Sequence, residues 1–77
     1  MKKVKIVTAP WCAPCKELKR EAVDINVDIE FIDADDENNK NFIIENKIKT
    51  VPTLINDDKS LVTGVDDILK VLLRYEK

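Results

Sequence analysis

The apolar residues change spacing several times along the chain, and the first changes constrain the fold most. Lys3 to Thr8 is short, partly alternating and rich in Val and Ile, which predicts a buried strand. Pro10 discourages continued strand pairing, so Ala9 to Trp11 reads as a loop. From Ala13 to Asp24 the pattern is helical: Cys15, Leu18, Ala22 and Ile25 share one face, while Lys16, Lys19, Arg20 and Asp24 take the wet side. Pro14 suits the first turn, where a missing N–H is no loss. Val27 to Asp33 then alternates, Val27, Ile29 and Phe31 against Asp28 and Glu30, as a second strand. A strand, a helix and a strand in so short a span imply a parallel pair with a right-handed crossover.

The remainder adds less regular pieces. The acidic stretch Asp33 to Glu37 leads into a second helix over residues 37–46, and acidic residues suit a helix N-terminus because they oppose its dipole. Lys47 to Val51 connects to Pro52. Thr53 to Ile55 and Lys59 to Thr63 read as two strands joined by a turn at Asn56-Asp57-Asp58. After Gly64 a last helix runs from Asp66 to Tyr75, with Val65, Ile68, Leu69, Leu72 and Leu73 as its apolar stripe. The order is thus βαβαββα. Its closing hairpin must add antiparallel strands, giving a mixed α/β sheet with helices on both faces.

Seventy-seven residues suffice for a single domain, 1–77, near the lower limit for a self-sufficient core. Thirteen basic against fifteen acidic residues give a net charge of −2. A nucleic-acid partner would call for a basic excess, so none is expected. The longest apolar runs, such as Phe42-Ile43-Ile44, fall far short of the roughly 20 residues that span a bilayer. Met1 to Val7 is too interrupted for a signal peptide, so the expected location is cytoplasmic and the expected state a monomer.

The two cysteines, Cys12 and Cys15, stand three apart, and there is no histidine. A bridge between them would close too small a loop to stabilise the chain by constraining its unfolded state. The spacing is shared by redox and metal-binding proteins. Zinc prefers four ligands, and this chain supplies two, so a metal site would need carboxylates or a second copy to complete it. None is expected, and no cofactor. The strand-to-helix junction favours redox chemistry. Cys12 lies at the mouth of the first helix, where unpaired N–H groups and the dipole stabilise a thiolate, the attacking species. Cys15 lies one turn inside on the apolar face, where desolvation keeps its thiol protonated.

Trp11-Cys12-Ala13-Pro14-Cys15-Lys16 resembles the active site of the thioredoxins, with Ala13 where most members have glycine. Val51-Pro52-Thr53 is similar to that family's second hallmark, a proline whose preceding peptide bond is cis. Phe31 to Asn39 is also thioredoxin-like, and the resemblance extends from Lys3 to Leu73. It implies the thioredoxin fold, with a four-stranded mixed sheet and three helices. It also implies a protein disulfide reductase in which Cys12 is the nucleophile and Cys15 the resolving thiol. Trp11, Pro14, Val51 and Pro52 are the substrate-binding residues it implies, Val51 offering its backbone to an extended segment. The implied partners are disulfide-containing proteins and a donor of the thioredoxin-reductase type, or glutathione.

The length and Thr50-Val51-Pro52 are also similar to glutaredoxins, and Gly64-Val65-Asp66-Asp67 resembles their glutathione-holding segment, with Thr63 in place of its first glycine. No Lys or Arg stands between the first strand and Cys12, and the aromatic usual between glutaredoxin cysteines is missing, so thioredoxin-type activity is favoured. A binding module with an unused cysteine pair is the remaining class. Ile6, expected on the central strand beneath the pair, stands where thioredoxins carry a buried acid, and Thr8 where they carry another tryptophan. Lys16, Lys19 and Lys49 are expected around the active-site edge, favouring acidic clients.

Overall fold

The computed structural model describes residues 3–76. Strand β1, Val4–Thr8, is followed by helix α1, Ala13–Ala22, strand β2, Ile29–Asp33, and helix α2, Lys40–Glu45. Strands β3, Thr53–Ile55, and β4, Leu61–Thr63, form the hairpin, and helix α3, Val65–Tyr75, closes the chain. The sheet order is β2-β1-β3-β4. β1 runs parallel to β2, with Ile6 opposite Phe31, and antiparallel to β3, with Ile6 opposite Leu54. β4 pairs antiparallel with β3. This is the expected four-stranded mixed sheet with three helices.

The main core lies between the sheet and helices α1 and α3, which also pack on each other. Val4, Ile6 and Leu54 from the strands meet Leu18 and Ala22 of α1 and Ile68 and Leu72 of α3. Successive strand residues face opposite ways, so Lys5 and Val7 point to the other side. There α2 covers the sheet: the Lys5 ammonium sits 5.4 Å from the centre of the Phe42 ring. Val7, Ile32 and Thr53 are buried beneath this second layer. Among the described residues no helix is long and apolar enough to cross a membrane.

Several local expectations need correction. The second strand begins at Ile29 rather than Val27, which instead bonds its N–H to the Ile25 carbonyl at 2.9 Å. Val27 and Ile29 do pack on the main core, but in β2 the buried residue is Ile32, and Phe31 is 38% exposed. β2 is an edge strand with a helical layer on each face, so strict alternation does not decide what is buried; Phe31 lies outermost, with the Lys19 ammonium 5.2 Å from its ring centre. The second helix splits into a single 3₁₀ turn, Glu37–Asn39, and the short α2. The first helix stops at Ala22, before the β-branched Val23 and Asp24. In α3 Leu73 lies off the buried stripe at 56% exposed, because it follows Leu72 by about 100° around the helix.

The last strand begins at Leu61 because Lys59 and Ser60 belong to the turn. The Lys59 N–H bonds the Asn56 carbonyl at 2.9 Å, and Lys59 takes φ 70° before the Asn56 N–H closes on the Ser60 carbonyl at 3.0 Å. That is a turn followed by a left-handed residue, a common hairpin connection. Asp58 accepts hydrogen bonds from the Ser60 hydroxyl and N–H at 2.7 and 3.0 Å, which hold its carboxyl below the usual range.

Candidate active site

The cysteines are placed by the junction of β1 and α1. A turn closes with the Cys12 N–H on the Ala9 carbonyl at 3.1 Å, leaving Cys12 extended (φ −88°, ψ 107°) as the cap of α1. Its Sγ accepts the backbone N–H of Cys15 at 3.1 Å. This N–H belongs to the first turn, where helix donors have no partner within the helix. The sulfur therefore occupies the place that a serine or aspartate oxygen takes in ordinary caps, and negative charge there is favoured by the dipole. Pro14 sits in the same turn without loss, and no acidic residue lies there to oppose a thiolate.

The pair is joined as a disulfide, with Cα atoms 5.2 Å apart, inside the usual range for such a bridge. Both cysteines are buried and form a small cluster with Ala9, edged by Ala34 and Val51. Ile6 is fully buried on an interior strand, but it belongs to the main core rather than to this cluster. Among the described residues the buried polar side chains are those of Thr8 and Thr53. Among the described residues no carboxylate is buried beside Cys15.

The second segment comes in across the pair. The Val51–Pro52 peptide bond is cis, and Pro52 is buried. The Val51 carbonyl oxygen stands 3.8 Å from Cys12 Sγ, a distance at which a reduced Cys12 thiol would donate to it. The Thr53 hydroxyl, donating to the Thr50 carbonyl at 2.6 Å, braces the bend around the proline. Val51 thus packs against the cysteine cluster, with the buried Pro52 next to it in the chain, Pro14 lies in the first turn of α1, and Trp11, just before Cys12, is 69% exposed.

Other residues at this mouth give no sign in the sequence. The Trp11 indole N–H donates to Asp35 Oδ1 at 3.1 Å, and Asp35 in turn bonds its N–H to Asp33 Oδ1 at 2.9 Å. The acidic stretch therefore does more than cap a helix, although Asp36 does cap the 3₁₀ turn through the Asn38 N–H. A shallow groove of about 150 Å³ opens beside Val51, lined by Trp11, Ala34, Ile43, Ile48, Lys49 and Thr50. Of the three lysines expected around the site, Lys49 lines this groove and Lys19 lies over Phe31 instead.

A search among curated proteins returns no match. Solved structures do resemble the chain. The thioredoxin-like protein BC3987 is 27% identical, with a TM-score of 0.72, covering 91% of this chain and 99% of its own. Thioredoxin f from spinach chloroplast, in its short form, is 24% identical with a TM-score of 0.68, covering 94% of this chain and 73% of its own, and shows the shared fold. The thioredoxin family model matches residues 3–69, a span that contains both cysteines, the cis proline and all four strands. By that match, and by a paired Cys12 and Cys15 at the head of α1 in a fold built this way, the chain belongs to the thioredoxin family and carries the cysteine pair of a thiol–disulfide oxidoreductase.

Proposed function

We propose that the chain is a thioredoxin-type protein disulfide reductase. The observation that carries this reading is Cys12 Sγ as the cap of α1, held by the Cys15 N–H and facing the carbonyl of Val51. In the reduced protein the Cys12 thiolate attacks one sulfur of a client disulfide. A Cys12–client disulfide forms, and the other client sulfur leaves as a thiolate. Cys15, once deprotonated, attacks Cys12 Sγ. The Cys12–Cys15 disulfide forms and the second client sulfur is released, so two electrons pass from the dithiol to the client. The client thiolates take up the two protons that the dithiol gives up.

Trp11 and Val51 flank the attacking sulfur and serve as the docking surface, with Pro14 and Pro52 shaping its floor. The partners in this reading are disulfide-containing proteins and a thioredoxin-reductase-type donor that restores the dithiol. A reducing compartment such as the cytoplasm suits a pair that must spend its working life reduced, and a monomer suffices for every step. The test is turnover of a protein disulfide by the purified chain. One arm supplies NADPH with thioredoxin reductase, the other glutathione with NADPH and glutathione reductase. Turnover in the first arm is expected. Turnover in the second arm alone would make this a glutaredoxin-type enzyme, and none in either would make it a binding module.

A further inference from the structure

The sheet ends on β4, and the outer side of that strand carries an ordered set of polar groups. The Asn56 N–H bonds the Ser60 carbonyl at 3.0 Å, which makes those two a hydrogen-bonded pair of the hairpin. Bonded and non-bonded pairs alternate along an antiparallel ladder. Leu54 and Val62 are therefore the next bonded pair. Leu61, opposite Ile55, and Thr63, opposite Thr53, turn their N–H and carbonyl groups away from β3. Because β4 is the last strand of the sheet, these two donors and two acceptors face outward in a row.

Helix α3 borders the same edge. It begins at Val65, one residue after Gly64, and runs back alongside the strand. Asp67, Lys70, Val71 and Arg74 form one stripe of the helix. This stripe and β4 together line a shallow furrow of about 370 Å³. Asp67, Lys70 and Arg74 are exposed, and so is Leu61 at 38%. Val62 lies about 7 Å back along the strand from Gly64, a distance that a helix rising about 1.5 Å per residue covers by Lys70. Asp67 and Arg74 thus stand on opposite sides of the level of Val62, the acid toward Thr63 and the base toward Leu61.

That order is self-complementary. A second copy of β4 turned end for end sets Thr63 against Leu61 and Val62 against Val62. Each Leu61–Thr63 pair then exchanges two hydrogen bonds, which satisfies every outward group of both strands. The same rotation brings Asp67 of each copy to Arg74 of the other. Lys70 and Val71 meet across the axis, where the aliphatic stem of the lysine covers the valine. An extended acidic peptide would gain Lys70 and Arg74 but meet Asp67, so the edge suits a copy of itself better.

We propose that the chain forms a two-fold dimer through β4, joining two four-stranded sheets into one. Only three residues of each strand pair, so the association is weak, with a dissociation constant between about 10 µM and 1 mM. β3 separates β4 from β1, the strand that leads to the cysteines, so the pairing leaves Cys12 open. The dimer does not depend on the disulfide-exchange reading above.

Sedimentation equilibrium of the full chain, from about 10 µM to about 5 mM, brackets that range. Reductant is kept present so that no disulfide links two copies. The parent should pass from monomer to dimer and stop there, as a closed two-fold interface requires. Asp67→Arg and Arg74→Asp each set like charges across the axis and should weaken the dimer by about tenfold. The double variant restores opposite charges and should recover it. Hydrogen exchange read by NMR should slow at the Leu61 and Thr63 amides as concentration rises. A chain that stays monomeric throughout overturns the proposal. A dimer whose Leu61 and Thr63 amides exchange as fast as in dilute solution overturns it too, since it forms through another surface. A double variant as weak as the two single ones overturns the opposed Asp67–Arg74 arrangement.

Discussion

The two faces of the sheet are built on different terms. On one, α1 and α3 press Leu18, Ala22, Ile68 and Leu72 onto Val4, Ile6 and Leu54. On the other, the short α2 shields Val7, Ile32 and Thr53 yet buries none of its own side chains, and Ile44 is 62% exposed. A domain of this size has little core to spare, and here nearly all of it lies on the first face. The second face leaves apolar side chains such as Ile44 outside the core. The burial that stabilises the fold is thus concentrated on one side of the sheet, and the cysteines form a separate small cluster.

The largest expected effect measures that division. Leu54→Ala should cost about 2–5 kcal/mol, the range for removing a fully buried aliphatic side chain. Ile43→Ala, on the thin side, should cost roughly 1 kcal/mol, in keeping with partial burial. Urea unfolding of both variants gives the two values, and equal losses would break the contrast.

Next comes the proton of Cys15. With no carboxylate buried beside it, the thiol must ionise into water, buffer or the departing sulfur. An ordinary thiol is half ionised near pH 8.5, so resolution of the mixed disulfide should accelerate on the order of a hundredfold between pH 6 and pH 9. The initial attack by Cys12 should level off at lower pH, because the helix end favours its thiolate. Single-turnover kinetics separate the two steps. A resolution rate flat with pH would reveal a base that the buried residues do not supply.

Each face also has one left-handed residue at a helix end, and these should respond oppositely. Gly64, at the entry to α3, has φ 88° and ψ 143°, while an added Cβ would meet nothing within 4 Å. Gly64→Ala should therefore destabilise through the backbone alone, by about 1–3 kcal/mol. Lys47, at the exit of α2, holds φ 57° with a side chain that disfavours it. Lys47→Gly should stabilise, by a few tenths to about 1 kcal/mol, the relief of that conformation less the entropy a glycine loses. Equilibrium unfolding of the pair reads both, and a loss on Lys47→Gly would mean that the lysine side chain contributes contacts of its own.

What the sequence reveals follows from how local each signal is. Strand and helix order came from spacing over a few residues, and β3 falls on Thr53–Ile55 as read. Cys12 and Cys15 could be placed because a strand-to-helix junction fixes them within four positions. The resemblance at Val51-Pro52 marked the second segment, and the cis bond stands there. Burial in β2 was misread because Phe31 and Ile32 depend on two layers that meet only in the folded sheet. The Trp11–Asp35 bond joins residues 24 apart, and no periodicity reports it. The groove was hidden for the same reason: its isoleucines are joined by a helix ending at a lysine, where glycine is the usual sign.

The division of labour between the two thiols is the centre of the account, and one measurement addresses it directly. Cys12→Ser and Cys15→Ser are each prepared reduced, incubated with an oxidised protein client, and analysed by intact-mass spectrometry without added reductant. The Cys15→Ser variant should accumulate a covalent adduct of one chain and one client, because Cys12 attacks and nothing resolves. The Cys12→Ser variant should form none, since Cys15 is buried at 1% exposure and is not the capping sulfur. An adduct through Cys15 in Cys12→Ser, with none in the reverse variant, would contradict the account.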